Sequence, residues 1–188
     1  MAFTTRGDIL KKVGENDDAG WREFVEYYTP LIRLRAKDLG LSPQETEELC
    51  QDVFVRIFRS GTVNRFDRGK GKFRTLLRAI ISNAAIDLIR ARRNTVEMPS
   101  AEEPLTDDDA MFEEEWRQFL YEKALAEVRG GCDPATFMAF EFYALRGLPV
   151  QQVVQMTSLS EDSVYQAKTR ILRRLKEVVN RLQRELAE

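Results

Sequence analysis

Hydrophobic residues recur at intervals of three and four along most of the chain, and strict alternation is scarce. This spacing predicts amphipathic helices and an all-α fold. One such segment spans residues 19–39, with Asp17 or Asp18 as its cap, and a shorter one spans residues 6–13. Pro30 lies inside the longer segment and predicts a kink or a local break there.

The second long segment has clear start and stop signals. Ser42 is a natural N-cap, Pro43 suits the first helical position, and Glu45 completes a capping box. Gly61 predicts the end of this helix. Its apolar stripe consists of Leu49, Val53, Phe54, Ile57 and Phe58. Residues 64–72 form a charged, glycine-containing loop, and a further helix is predicted for residues 72–92.

The second half of the chain continues the helical pattern. A helix beginning near residue 110 should end at Gly130 and Gly131, and the next should begin after Asp133 and end at Gly147. A short helix follows, with Val150, Val153 and Val154 facing inward, and Ser160 caps a longer basic helix. A short helix, a tight turn and a longer basic helix together indicate a helix-turn-helix.

The last helix has two distinct faces when its residues are placed at about 100° intervals. Its apolar face consists of Val164, Ala167, Ile171, Leu172, Leu175, Val178, Val179 and Leu182. The opposite face carries Gln166, Thr169, Arg170 and Arg173, flanked by Tyr165 and Arg174. A DNA-recognition helix requires both faces. A solvated surface helix shows the same pattern, so this helix alone leaves both interpretations open.

Charge divides the chain more clearly than its net value of −2 suggests. Residues 65–93 hold nine Lys/Arg and two Asp/Glu, whereas residues 94–115 hold nine Asp/Glu and no base. The acidic segment 94–109 has two prolines and little periodicity, which predicts a flexible linker. We therefore expect two small helical domains, residues 1–93 and 110–188, with the helix-turn-helix in the second.

The basic segment 65–93 includes a glycine-containing loop and the aromatic residues Phe66 and Phe73. Backbone charge and base contacts act together in single-stranded DNA binding, so this segment is a candidate for that function. A solvated helix with a basic end is the alternative interpretation.

Composition argues against several classes of protein. The chain has no histidine, two cysteines in unrelated contexts and no phosphate-binding loop, so we expect no enzyme, no metal site and no cofactor. No apolar run approaches the roughly 20 residues that span a bilayer. The start of the chain does not look like a signal peptide, so we expect a cytoplasmic protein without a membrane partner.

The order of the motifs is informative in itself. "WREFVEYYTPLI" precedes "EELCQDVFVRIFR", "FDRGKGKFRTLLRAIISNAAIDLIRARR", an acidic linker and "SEDSVYQAKTRILRRLKEV". This ordered set resembles the extracytoplasmic-function (ECF) sigma factors of bacterial RNA polymerase. The resemblance covers roughly residues 19–180.

The resemblance implies functions for the first domain. The helix of "EELCQDVFVRIFR" would dock on the clamp helices of the polymerase's largest subunit. Its candidate contacts are Glu48, Gln51, Asp52, Arg56 and Arg59. The loop and helix of "FDRGKGKFRTLL", with an asparagine farther along, would bind a flipped base of the −10 element. The candidate contacts there are Phe66, Lys70, Lys72, Phe73, Arg74, Thr75 and Asn83.

The resemblance implies that the last helix reads the −35 element in duplex DNA. The candidate contacts are Ser163, Tyr165, Gln166, Lys168, Thr169, Arg170, Arg173 and Arg174. It also implies binding to the polymerase flap, a linker directed towards the RNA exit channel and a possible anti-sigma factor. The sequence departs from the family at Leu76, where Trp is frequent, at Ala167, where Arg is frequent, and at Lys168, where Leu is frequent.

Together these features predict a sigma factor that directs core RNA polymerase to specific promoters and assists promoter opening. One alternative is a helix-turn-helix regulator that binds DNA without polymerase. The other is a helical protein-interaction module without any DNA function.

Overall fold

The computed structural model describes residues 10, 12–13, 17–61, 63, 73–95 and 109–187. Every regular element within these ranges is helical, which confirms the predicted all-α class. The helices are α1 (Asp18–Asp38), α2 (Pro43–Ser60), α3 (Phe73–Thr95), α4 (Asp109–Gly130), α5 (Pro134–Phe140), a π-helical segment (Glu141–Leu145), α6 (Val150–Thr157) and α7 (Glu161–Ala187). The predicted loop 64–72, most of the predicted helix 6–13 and most of the predicted linker lie outside the described residues.

Helix α1 begins where the sequence predicts and continues through Pro30. The Asp17 carboxylate caps it by accepting from the backbone N–H groups of Ala19 and Gly20. The predicted local break at Pro30 is wrong. Proline removes only one backbone donor from the helix, and buried Tyr28 and Leu31 on either side anchor the helix in the core.

Helix α2 confirms its predicted start and end. The Glu45 backbone N–H donates to Ser42 Oγ at 3.3 Å, and the Ser42 N–H donates to Glu45 Oε2 at 2.8 Å. Pro43 occupies the first turn, and Gly61 ends the helix with a left-handed φ of 56°. This conformation suits glycine because it has no Cβ.

The described residues up to Phe119 form one compact unit, and residues 120–184 form a second. Residues 109–119 of α4 pack in the first unit, although the sequence predicts that the second domain begins at residue 110. Aromatic side chains from α1, α3 and α4 form much of the first core. The ring centroids of Phe24 and Tyr28 lie 6.1 and 5.8 Å from that of Phe73. The Tyr28 ring also stacks on the Phe119 ring, with centroids 6.2 Å apart.

A buried ion pair crosses this core. Arg35 of α1 donates through Nη1 to Oε1 of Glu115 of α4 at 3.2 Å, and the two residues are 3% and 1% exposed. The pKa of Glu115 is raised to about 7, mainly by burial and to a lesser extent by Asp38, against the lowering effect of Arg35. The carboxyl group therefore changes its protonation state near neutral pH.

The second unit is built around α7. Ala139, Val150, Val153, Val164 and Ala167 form a buried cluster that joins α5, α6 and α7. As predicted, an aspartate caps α5, because Asp133 Oδ1 accepts from the backbone N–H of Thr136 at 2.9 Å. The π-helical segment that extends α5 is not signalled by the periodicity of the sequence.

Among the described residues, the hydropathy of each helix falls short of what a membrane span requires.

The buried pair makes a prediction for stability. Arg35→Ala should lower the free energy of unfolding by about 3–5 kcal/mol at pH 8, because the buried Glu115 carboxyl loses its cationic partner, so that it must bind a proton or stay charged in the core, and because the space of a buried side chain is emptied. Both tryptophans, Trp21 and Trp116, lie in the first unit, so their fluorescence during urea unfolding follows that unit alone.

Arg33→Ala is the matched control on the same helix. Arg33 forms an exposed ion pair with Glu47 at 2.7 Å. Loss of an exposed pair should cost less than about 1 kcal/mol. Equal losses for the two variants would show that burial does not set the strength of the Arg35–Glu115 interaction.

Candidate nucleic-acid interface

Helices α6 and α7 are joined by a three-residue turn, 158–160. Ser158 ends α6 in the left-handed region with φ 59°, and its N–H donates to the Val154 carbonyl at 2.9 Å. The Ser163 N–H donates to Ser160 Oγ at 3.2 Å, so Ser160 caps α7 as predicted. The predicted order of short helix, tight turn and long basic helix is therefore present.

The inward face of α7 corresponds to most of the predicted apolar stripe. Val164, Ile171 and Leu175 are buried, and Ala167 is 2% exposed in the cluster with α5 and α6. Leu172 was predicted for the same stripe, but it is 47% exposed. Leu172 lies about 100° from Ile171 around the helix, which places it at the edge of the stripe. Ala167, in contrast, is buried in the cluster and is therefore a packing residue.

The outward face carries most of the predicted −35 contacts. Its exposed residues are Tyr165, Gln166, Lys168, Thr169, Arg170, Arg173 and Arg174, and Ser163 is half-buried at the start of the helix. The Thr169 hydroxyl donates to the Tyr165 carbonyl at 3.2 Å, which leaves the threonine oxygen able to accept from a ligand. The described part of α7 thus presents a continuous polar surface.

One edge of this surface contacts Tyr143, which belongs to the π-helical segment. The Tyr143 and Tyr165 rings meet edge-on with centroids 5.4 Å apart. The ammonium nitrogen of Lys168 lies 5.3 Å from the Tyr143 ring centroid. Partial desolvation raises the pKa of Tyr165, and Tyr143 contributes to the shift. The sequence alone does not identify Tyr143, because it lies outside the predicted helix-turn-helix.

The opposite edge of α7 is held by Arg174. Its Nη1 donates to the Gly131 carbonyl at 3.3 Å, in the turn between α4 and α5. A Cβ added at Gly131 would lie 2.8 Å from Arg174 Nη2, so glycine permits this close approach. Arg174 therefore has a structural contact in addition to its predicted contact with DNA.

The residues predicted to contact the −10 element differ in exposure, and some of them lie outside the described residues. Phe66, Lys70 and Lys72 lie outside the described residues. Phe73 is 4% exposed and packs in the aromatic core, a position that does not favour base stacking by this ring. Thr75 and Asn83 are exposed.

Arg74 lies on the other side of α3 from Asn83. The nine steps from Arg74 to Asn83, at about 100° each, amount to about two and a half turns, so the two residues are offset by roughly half a turn around the helix axis. The angle between Thr75 and Asn83 around the helix axis is only about 80°, so these two residues share one side of the helix. The described residues therefore do not bring Arg74 and Asn83 together on a single face.

Arg74 and Arg78 of α3 form ion pairs with the start of α4. Arg74 pairs with Glu113, and Arg78 pairs with Asp109. The Arg74 guanidinium also lies 5.2 Å from the Trp116 ring centroid. Burial lowers the pKa of Arg74, and the neighbouring Arg78 lowers it further. Two residues of the basic segment are thus neutralised by carboxylates of the acidic one.

The predicted polymerase contacts lie on α2. Three of them, Glu48, Gln51 and Arg59, are exposed. The other two form an ion pair, in which Arg56 Nη2 lies 2.8 Å from Asp52 Oδ2 and 2.9 Å from Asp87 Oδ2 of α3.

Two apolar side chains stand among the exposed residues of α2. Val55 is 42% exposed, and Phe58, which the sequence places on the apolar stripe, is 60% exposed. Gln51, Val55 and Phe58 follow one another at intervals of four and three, so they form one surface. The sequence contains a signal for this surface. Val55 lies outside the predicted apolar stripe, and its spacing from Gln51 and Phe58 places all three residues on one side of the helix.

No cluster of candidate metal ligands occurs within the described ranges. Residues 24–95, which include α2 and α3, match the family model described as sigma-70 region 2. No curated protein matches the chain.

The position of Ala167 can be tested by substitution. Ala167→Arg should destabilise the α6–α7 packing by about 2 kcal/mol or more, because it overfills the cluster and buries an unpaired charge. Amide hydrogen exchange of residues 150–178, followed by mass spectrometry, should show faster exchange in this variant. Gln166→Arg introduces the same side chain at the adjacent exposed position and should leave exchange unchanged. Equal exchange in both variants would contradict the assignment of Ala167 to the core.

Proposed function

We propose that the chain is a sigma factor of the sigma-70 family, of the ECF type, that acts in transcription initiation by RNA polymerase. In this proposal it directs core polymerase to particular promoters and assists their opening. The match of residues 24–95 carries the proposal. The ordered motifs within residues 19–180, which resemble those of ECF sigma factors, support the ECF type.

The outer face of α2 is the proposed polymerase-binding surface. Glu48, Gln51 and Arg59 surround the exposed side chains of Val55 and Phe58. An apolar centre with a polar rim is the usual composition of a protein interface. Asp52 and Arg56 pair with each other, which holds the rim of this surface in place. Its proposed partner is the pair of clamp helices in the largest polymerase subunit.

Helix α7 is the proposed reader of the −35 element. Gln166, Thr169, Arg170 and Arg173 project from the side opposite the buried face. Amide and guanidinium groups can read base edges in the major groove, and arginine also binds phosphate. This exposed polar row supports groove binding better than a role in protein packing.

The −10 element is proposed to bind near the start of α3. Exposed Thr75 and Asn83 can donate to and accept from base edges. Arg74 would supply a phosphate contact, which requires the exchange of its ion pair with Glu113. The assignments of Phe66, Lys70 and Lys72 to this element remain predictions from the family resemblance.

A groove between α4 and the α5–π segment is the proposed contact for the polymerase flap. Its volume is about 380 Å³, and its apolar lining consists of Leu125, Ala126, Phe137 and Leu145. Charged residues, among them Arg129, also line it. An apolar groove with charged edges suits an amphipathic helix of a protein partner. An anti-sigma factor would be a competing partner and likewise remains a prediction.

The proposed function predicts which activity the α7 arginines serve. Arg170→Glu with Arg173→Glu should weaken binding to promoter duplex by at least about tenfold, because two cationic contacts become repulsive. Binding of the same variant to core polymerase should be unchanged. Gel-shift titrations with and without core polymerase, and transcription from a promoter library with mapped start sites, measure these quantities.

Lys176→Glu with Arg184→Glu is the charge-matched control, since both residues are exposed farther along the same helix. Equal loss of DNA and polymerase binding in the α7 variant would contradict the assignment of this helix to DNA. Tight duplex binding by the free chain alone would favour a regulator that acts without polymerase. Weak, salt-insensitive DNA binding would favour a protein-interaction module.

The ion pairs of α3 predict a second effect. Asp109→Asn with Glu113→Gln should tighten binding of the free chain to single-stranded DNA by roughly three- to tenfold, because Arg74 and Arg78 no longer have to leave a carboxylate. Fluorescence anisotropy with a labelled 15-nucleotide mixed-sequence strand measures this change.

Glu26→Gln with Glu114→Gln removes the same charge from exposed positions and should change the affinity less than twofold. Tightening of similar size in this control would mean that net charge, and not the release of Arg74 and Arg78, governs the affinity.

A further inference from the structure

We propose that Tyr143 is a positioning residue that sets base preference at one base pair of the −35 element by fixing Lys168 and Tyr165. The proposal rests on the proposed reading of that element by α7. Tyr143 belongs to neither helix of the helix-turn-helix, yet its ring contacts two exposed side chains of the reading helix.

The π-helical segment that carries Tyr143 is closed by Arg146. The Arg146 N–H donates to the Glu141 carbonyl at 3.0 Å, which closes the wide turn. The Arg146 guanidinium donates to Glu141 Oε1 at 2.5 Å and lies 5.1 Å from the Phe142 ring centroid. One arginine thus bonds to the start of the segment through both its backbone and its side chain. A π turn changes the direction of the side chains within it and often occurs at functional positions.

Tyr143 also packs partly against the buried cluster that includes Val164 and Ala167 of α7. Its ring is therefore anchored on the core side, and its remaining surface faces Tyr165 and Lys168. Those two residues lie three positions apart on one side of the helix. Tyr143 restrains both of them from a single point.

Lys168 has a long side chain that would otherwise sample many rotamers. Its ammonium nitrogen, 5.3 Å from the Tyr143 centroid, is held by attraction to the ring. A restrained donor loses less conformational freedom on binding, and it can reach fewer acceptors. A lysine ammonium donates to the O6 and N7 atoms of guanine in the major groove. The geometry therefore favours one guanine-containing base pair over an arbitrary phosphate.

The experiment uses holoenzyme assembled from core polymerase and the full chain. A duplex library with a randomised −35 region is selected for binding and sequenced, which gives the preference at each position. Tyr143→Leu and Lys168→Met should each reduce the preference for guanine at the same base pair by roughly three- to tenfold. The two changes combined should have no larger effect than either one. Tyr143→Phe keeps the ring and should retain the wild-type preference.

Tyr121→Leu is the control for loss of an exposed tyrosine elsewhere in the second unit. It should leave every preference unchanged. A uniform loss across all positions in Tyr143→Leu would overturn the proposal, since a purely structural residue would act in that way. An effect of Lys168→Met at a different base pair would also overturn it, as would unchanged preferences in Lys168→Met. The test with Lys168→Met remains valid even if Tyr143→Leu does not fold. Lys168 is exposed, so its substitution should not disturb the fold.

Failure of the proposed function has a different signature. If wild-type holoenzyme selects no −35 sequence and initiates at no promoter, the assignment of α7 to promoter reading is wrong, and the proposal for Tyr143 falls with it. If wild-type holoenzyme selects a sequence that Tyr143→Leu and Lys168→Met leave unaltered, only the positioning role is wrong.

Discussion

Arg35 carries a charge inside an aromatic core, and the first compact unit is arranged so that this charge has a partner. That partner, Glu115, lies 80 positions later in the chain. A buried guanidinium without a counter-charge would destabilise the fold by several kcal/mol. The start of α4 must therefore pack against α1. Phe112, Trp116 and Phe119 occupy the same buried side of α4 as Glu115, so apolar packing and charge neutralisation depend on one another.

Local signals in the sequence predict the helix ends well. The capping residues Ser42, Asp133 and Ser160 all occur as expected, because a cap involves residues no more than four positions apart. Contacts across the fold are less accessible to such reasoning. Glu115 belongs to a run of three glutamates that resembles a solvated face, yet it is buried. Phe58 continues an apolar stripe, yet it is 60% exposed, because the periodicity of one helix does not determine how much of its stripe the neighbouring helices cover.

The contacts of the candidate recognition helix α7 with the rest of the second unit are likewise not predictable from the sequence. Its periodicity predicts both of its faces, but not what holds its edges. Arg174 bonds to the Gly131 carbonyl on one edge, and Tyr143 contacts Tyr165 and Lys168 on the other. Neither partner lies in the helix-turn-helix itself. The residues at the edges of this helix therefore have structural contacts beside the DNA contacts that we propose for them, and sequence patterns do not separate the two.

Helix α4 carries two kinds of ion pair that differ in exposure. The Arg35–Glu115 pair is buried, so separation of the two residues would leave the Arg35 guanidinium in the core without a counter-charge. The carboxylates that pair with Arg74 and Arg78 are at least half exposed, and such pairs contribute about 1 kcal/mol or less. Exchange of these carboxylates for phosphate is thus close to neutral in free energy, because one hydrated anion replaces another. The opposed charge blocks of the sequence are consequently joined by exposed ion pairs that a competing anion can displace, beside one buried pair that it cannot.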